Sequence, residues 1–300
     1  MSNESQHISV CICTFKRPAL LKRTLESVVA QRTDGQFTFS VVVSDNDKAG
    51  SGRATAEEVA SRALVLLKYS VEPRQGIAMA RNNAVRNATG DYIAFIDDDE
   101  FAPEDWLLQL YSAIKQFNCD GVLGPVDPHF DDDAPRWVIE GGFYKRPIVA
   151  TGTVLGFKMC RTGNVLLKRE LFSGEEPFNP ECLSGEDQDF FKRMIAIGKT
   201  FVWRHEAPAY EVVPPTRWKR SFLVRRAMFR GIFAQRNHGL QPVRVLQAAV
   251  SAPVYLLLLP VSLLFGQAKF MICAFKLSYH TGRLCALFGY NPIKGPYVYD

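Results

Sequence analysis

Between residues 8 and 117, short apolar runs alternate with amphipathic helical stripes. Ile8–Cys13 reads as a strand, and "KRPALLKRTLESVVAQ" follows with Leu20, Leu21, Thr24, Leu25, Val28 and Val29 on one helical face. Phe39–Val43 is a second strand ending at "SDND"; Glu57–Ala63 is a helix and Leu64–Tyr69 a third strand. Ile77–Asn87 forms a helix closed by Thr89-Gly90. Tyr92–Ile96 is unbroken and aromatic-rich, as in a strand buried on both faces, and a helix runs from Pro103 to about Phe117. This alternation predicts an α/β fold, a mostly parallel, doubly wound sheet flanked by helices. Ligands bind such sheets outside the carboxyl ends of the strands. Thr14–Arg17, Asp45–Asp47 and Asp97–Asp99 all fall at those ends, so three polar clusters converge on one rim.

The last cluster is the most pointed. In "GDYIAFIDDDEFAPEDWL" the apolar strand ends in Asp97, Asp98, Asp99 and Glu100. Like charges crowded where a strand leaves the core are costly unless water, a base or a cation relieves them. An isolated acid run is ordinarily a solvated loop. Asp131–Asp133 is read that way, since turn residues flank it and no apolar strand precedes it. Beyond residue 120, "GVLGPV" is strand-like, and a helix starts near Glu186 with Phe190, Phe191, Met194 and Ile195 facing inward.

A hydrophobic share of 47% with 22% charged residues, over 300 residues, excludes wholesale disorder and allows a large core. The net charge of +5 is unevenly spread. After Glu211 stand Arg217, Lys219, Arg220, Arg225, Arg226, Arg230, Arg236, Arg244, Lys269, Lys276, Arg283 and Lys294, against Asp300 alone. The chain is an acidic body with a basic tail. Cys11, Cys13, Cys119, Cys160, Cys182, Cys273 and Cys285 contain no C-x-x-C pair and suit reduced thiols in a cytoplasmic compartment, with Cys11 and Cys13 facing the same packed layer. The opening "MSNESQH" lacks the apolar core of a signal peptide.

Five segments, "SVCICTFKRPALLKRTLESVVAQ", "VVVSDND", "GIAMARNNAVRNATGDYIAFIDDDE", "TGNVLLKRELF" and "GEDQDFFKRM", resemble in order and spacing the family 2 glycosyltransferases, most of all bacterial exopolysaccharide enzymes of the succinoglycan glucosyltransferase type. The resemblance spans roughly residues 8–215. It implies a nucleotide-diphospho-sugar transferase (GT-A) fold with a mixed sheet, hence an antiparallel strand that the spacing does not reveal. It also implies that Asp97–Asp99 is the family's D-x-D motif, with Asp99 on a metal and Asp97 near the ribose. In an extended segment Asp97 and Asp99 would point one way and Asp98 the other. Two such carboxylates suit Mg²⁺ or Mn²⁺ shared with diphosphate oxygens, the ion offsetting the charge crowding. Thr14, Arg17 and Asp45 occupy positions the family uses for the nucleotide. Asp45 could accept a base N–H, or Asp45 and Asp47 could merely cap a turn. Arg81 meets either the diphosphate or a structural carboxylate.

Glu186 and Asp187 open a helix where its dipole favours carboxylates, an arrangement also common without catalysis. The resemblance places the catalytic base in this pair, on Asp187 with Glu186 as the fallback, and implies inversion at the anomeric carbon. Where relatives carry a His-Glu pair past the base, this chain has Tyr210-Glu211, and His205 lies just before it. "GSGRATA" lacks the third glycine of a dinucleotide loop, and no triphosphate loop is present. A nucleotidyltransferase shares the acid–metal logic but would need such a loop.

"RWKRSFLVRRAMFRGIFAQR" interleaves bases with aromatics, as nucleic-acid or lipid-binding segments do. The next stretch favours lipid over nucleic acid. Ala248–Phe265 is nearly all apolar, about 27 Å as a helix against a hydrocarbon core of roughly 30 Å. Pro253 and Pro260 argue against one straight helix there. The expected organisation is a transferase domain over 1–215 and a basic, apolar, membrane-associating helical region over 216–300. The expected partners are a UDP-sugar donor, a lipid-linked saccharide acceptor and membrane lipids, at the cytoplasmic face of a bacterial inner membrane. A polyprenyl phosphate is the alternative acceptor.

Overall fold

In a computed structural model describing residues 5–174, 176–182, 185–238 and 241–290, strands and helices alternate in the order the sequence pattern marks. The helix expected over Glu57–Ala63 lies instead at Arg53–Ala60, the strand expected over Leu64–Tyr69 at Leu67–Val71, and the helix expected from Pro103 begins at Trp106. The strands are β1 (His7–Thr14), β2 (Thr38–Asp45), β3 (Leu67–Val71), β4 (Tyr92–Ile96), β5 (Glu100–Phe101), β6 (Gly121–Leu123), β7 (Val126–His129), β8 (Asn164–Lys168), β9 (Phe201–Trp203) and β10 (Ala209–Val212). The helices are α1 (Pro18–Val29), α2 (Arg53–Ala60), α3 (Ile77–Asn87), α4 (Trp106–Phe117), α5 (Arg136–Gly141), α6 (Glu186–Ala196), α7 (Arg220–His238), α8 (Pro242–Ser262) and α9 (Gln267–Leu287). "GVLGPV" divides into β6 and β7, which enter different sheets.

One compact unit comprises the described residues up to Pro128 with those of Arg146–Val212. Its 7-stranded sheet runs β3-β2-β1-β4-β8-β6-β9, and β5, β10 and β7 form a 3-stranded sheet in the order β5-β10-β7. β1 pairs parallel with β2 and β4, whereas β8 lies antiparallel between β4 and β6. This is the antiparallel strand the resemblance implied. Period-2 alternation sorts side chains to two faces. Ile8, Val10 and Ile12 pack with Leu21, Leu25 and Trp106 on one side; Cys11 and Ile93 pack with Ala84, Phe190 and Phe191 on the other. Each fully buried large side chain contributes about 1.5–3 kcal/mol, so these layers fix where the strand ends emerge.

The other unit comprises His129–Lys145 and the described residues of 213–290. Val138 and Tyr144 pack with Val213, Trp218, Leu223 and Met271 in its core. α8 continues as one helix through Pro253 and Pro260, although each removes a backbone donor. The break falls later, at Gly266, where φ is +93°. Pro242–Phe265 is long and apolar enough to cross a membrane, with mean hydropathy 2.1, and only 6% of its apolar window is buried. That exposure is unlike a soluble core helix. Lys294 and Asp300 of the basic tail lie outside the described residues.

Candidate active site

The acid run does not continue β4 as an extended segment. The strand ends at Ile96, and a turn closed by the Glu100 N–H on the Asp97 carbonyl (3.1 Å) leads into β5. The expected parity of side chains therefore fails, because parity requires strand geometry. Thr24 on α1 ties the turn down through its hydroxyl, 2.9 Å from the Asp98 carbonyl and 2.6 Å from that of Glu100. Asp98 is buried, accepts from the Thr14 hydroxyl at 2.7 Å, and meets Arg17 Nη1 at 3.3 Å. The same Arg17 nitrogen lies 3.5 Å from Asp99. Gly163, just before β8, makes room beneath the turn: a Cβ there would stand 2.8 Å from Glu100 Oε1 and 3.0 Å from Asp97 Oδ2.

Folding adds residues that no local pattern selects. In the β5–β10 ladder Glu211 stands opposite Glu100. Arg146 donates to Glu211 Oε2 at 2.6 Å. Arg81, buried on α3, lies 3.7 Å from Asp97 and hydrogen-bonds Glu186. Acids outnumber arginines here, and the carboxyls respond. Burial, then Asp97, Glu211 and Asp98, push Asp99 up to about 7 against the pull of Arg17. Burial also raises Asp98 and Glu186 despite their arginine partners. Glu100, with an Oε1 that is buried and has no hydrogen-bond partner, is held well above the usual carboxylate range by burial and then by Asp97. Asp97 is raised too, chiefly by desolvation within the cleft, although 44% of its side chain still meets solvent.

Among the described residues, no three His, Cys, Asp or Glu side chains are arranged to hold a metal ion alone. Mg²⁺-type sites commonly use one or two carboxylates and draw their remaining oxygens from substrate phosphates and water. Asp97 and Asp99 are the carboxylates available for such a partial shell, and a divalent cation there would offset the burial and crowding that lift Asp99.

The other expected residues separate into those that face the cleft and those that build it. Asp45 is fully buried; its oxygens accept from the Asp47 and Gly52 N–H groups and from the Tyr69 hydroxyl (2.9, 2.7 and 2.7 Å). Its carboxylate thus shapes the loop after β2. Glu186 is turned inward onto Arg81, whereas Asp187 is partly exposed and accepts from the Gln188 N–H at 2.7 Å. His205 is exposed. Glu211, beside the absent histidine of the resembling family, is the residue that joins the acid cluster. The charge of Glu211 and the departure at Tyr210-Glu211 were visible in sequence. Arg146 gave no signal, since only tertiary structure brings its segment here.

A GT-A-like sheet with carboxylates and arginines gathered at a strand end is an arrangement suited to a glycosyltransferase, and the comparisons agree. The glycosyl transferase family 2 profile matches residues 9–173. The chain belongs to that family and is a glycosyltransferase. It is 34% identical over 250 residues to the succinoglycan biosynthesis protein ExoM of Rhizobium meliloti, covering 80% of each chain. It is 28% identical to the amylovoran biosynthesis glycosyltransferase AmsB of Erwinia amylovora over 55% of this chain and 56% of that one. Among solved structures, the mannosyltransferase PcManGT of Pyrobaculum calidifontis, in complex with GDP-Man and Mn²⁺, shares the fold with a TM-score of 0.59 at 18% identity, covering 94% of this chain and 88% of that one. S. aureus TarS with UDP aligns at a TM-score of 0.54 and 16% identity, over 96% and 93% of the two chains.

Proposed function

We propose that this glycosyltransferase is an inverting, metal-dependent enzyme that moves a hexose, glucose from UDP-glucose, onto a lipid-linked oligosaccharide in bacterial exopolysaccharide assembly. It would work at the cytoplasmic face of the inner membrane, attached through the exposed apolar face of α8. The observation that carries the reading is the acid turn, where Asp99 stands near Arg17 and is nevertheless held up to about 7 by burial and by the neighbouring acids. The succinoglycan and amylovoran relatives support exopolysaccharide assembly. Family membership sets the nucleotidyltransferase alternative aside.

Asp99 and Asp97 would hold Mg²⁺ or Mn²⁺, which when bound supplies Lewis-acid neutralisation of the departing diphosphate. Arg17 and Arg81 offer guanidinium N–H groups to diphosphate oxygens at the same rim. Thr14 and Asp98 keep Arg17 in place, and Asp45 keeps the loop after β2 closed against Tyr69. Asp187 takes the proton of the acceptor hydroxyl as it attacks the anomeric carbon, so the configuration inverts. Glu186 is committed to Arg81 and serves as that arginine's anchor.

The test is incubation of the purified chain with UDP-glucose, Mn²⁺ and a lipid-linked oligosaccharide extract. One added hexose with inverted configuration, absent for Asp187→Asn, supports the reading. Retention of configuration contradicts it. Hexose addition to bare polyprenyl phosphate instead would make the product a lipid-phospho-sugar.

A further inference from the structure

From Val213 to Tyr290 the sequence contains no aspartate or glutamate. Within that stretch Arg283 on α9 is buried, 5% exposed. Among the described residues its guanidinium makes one hydrogen bond, 3.1 Å to the neutral Oε1 of Gln235 on α7, and its Nε is buried without a partner. Among the described residues of this unit the acids are Asp131–Asp133 and Glu140, all exposed, with Glu140 paired to Arg136. A buried guanidinium with no carboxylate partner among the described residues is expensive and calls for an anion.

Arg283 is the inner end of a stripe. Lys269, Lys276, His280 and Arg283 recur at seven, four and three residues, which places them along one face of α9. Burial deepens along it: Lys269 and Lys276 are exposed, His280 is partly buried and Arg283 is enclosed. The stripe meets α8 through Tyr255, whose ring stacks on His280 (centroids 5.9 Å apart) and lies under Lys276 Nζ at 5.5 Å. His280 Nδ1 is also buried without a partner. On α8 Leu256, Leu257 and Val261 are open, as are Leu263 and Leu264 in the turn that follows it. Cations graded inward beside a wide apolar face match an amphiphile carrying a phosphate head on a long chain; soluble phosphate would have no use for the apolar face, and a neutral lipid none for the cations.

We propose that the seam between α8 and α9 binds the phosphate of a long-chain lipid, with Lys276, His280 and Arg283 as its donors. A phospholipid headgroup and a polyisoprenyl phosphate share that chemistry. The site rests on the membrane-attached reading proposed above but not on the donor or metal reading, because its test contains neither nucleotide sugar nor metal.

The full-length chain is titrated with phosphatidylcholine vesicles that are bare, doped with phosphatidylglycerol, or doped with a polyisoprenyl phosphate. Doped vesicles should bind at least about tenfold tighter than bare ones, and Lys276→Gln should cost about fivefold of that gain. Arg283→Gln should cost more, with circular dichroism checking its fold; exposed Lys276 keeps the test valid should that variant misfold. Lys68→Gln, the same charge change on β3, sets the background. Tighter binding of the isoprenoid arm identifies an acceptor-type ligand, and equal binding of both doped arms identifies the headgroup phosphate. Equal binding to bare and doped vesicles overturns the proposal. So does a Lys276→Gln loss no larger than that of Lys68→Gln, or inorganic phosphate competing as tightly as the lipids.

Discussion

The chain contains two runs of acids that look alike on paper, Asp97–Glu100 and Asp131–Asp133. The first leaves a buried strand, is pinned from below by Thr24, and is walled by Glu211, Arg17 and Arg81. The second sits in an exposed turn, closed by the Ala134 N–H on the Asp131 carbonyl, with His129 4.0 Å from Asp131. Their difference lies in what surrounds them. Only in the first does desolvation turn charge crowding into a demand for a cation. Acid runs become informative when the preceding residues force them to the mouth of a core.

The largest effect expected on the active run comes through its neighbour. Asp187→Asn should lower kcat by about 10²–10⁴ while leaving UDP binding intact, measured by single-turnover assay and titration. Asp99→Asn should cost about 3 kcal/mol of transition-state stabilisation, roughly a hundredfold in turnover, and should weaken the response to added Mn²⁺. Gly163→Ala sharpens the comparison without touching a charge. Its Cβ would press on Glu100 and Asp97, costing about 1–3 kcal/mol in thermal unfolding and lowering donor affinity.

The pH dependence follows from the sign of the Asp99 shift. Its folded value, about 7, lies above its unfolded value of 3.8, so the folded state holds its proton longer. That contribution is fully present below pH 3.8 and is lost as pH rises to about 7, after which it is flat. Metal-free protein should thus lose stability across this window in denaturant titrations, and Asp99→Asn should flatten the loss. The smallest effect belongs to the other run. Replacing Asp131, Asp132 and Asp133 by Asn should leave stability within about 0.5 kcal/mol per site and activity unchanged. A marked loss of activity there would break the comparison.

Sequence periodicity located β4 and α3 to the residue and put the polar clusters at the strand ends, because those features are local. It could not place β8, whose antiparallel pairing between β4 and β6 joins distant segments. Pro253 and Pro260 argued only against a straight helix, and α8 runs through both as one helix. Glu186 and Asp187 were indistinguishable by composition. They differ because the phase of α6 turns one onto Arg81 and leaves the other open. Asp45 was legible as a rim acid, but its three internal donors became visible only once Gly52 and Tyr69 were in place. Arg146 was silent for the same reason.

The most direct test of the account is calorimetric titration of UDP, with and without Mn²⁺, into the wild-type chain and Asp99→Ala. The account predicts Mn²⁺-dependent binding in the wild type that Asp99→Ala loses, since the acid turn holds a cation against a diphosphate. Equal binding by the two proteins, or binding indifferent to Mn²⁺, would contradict it.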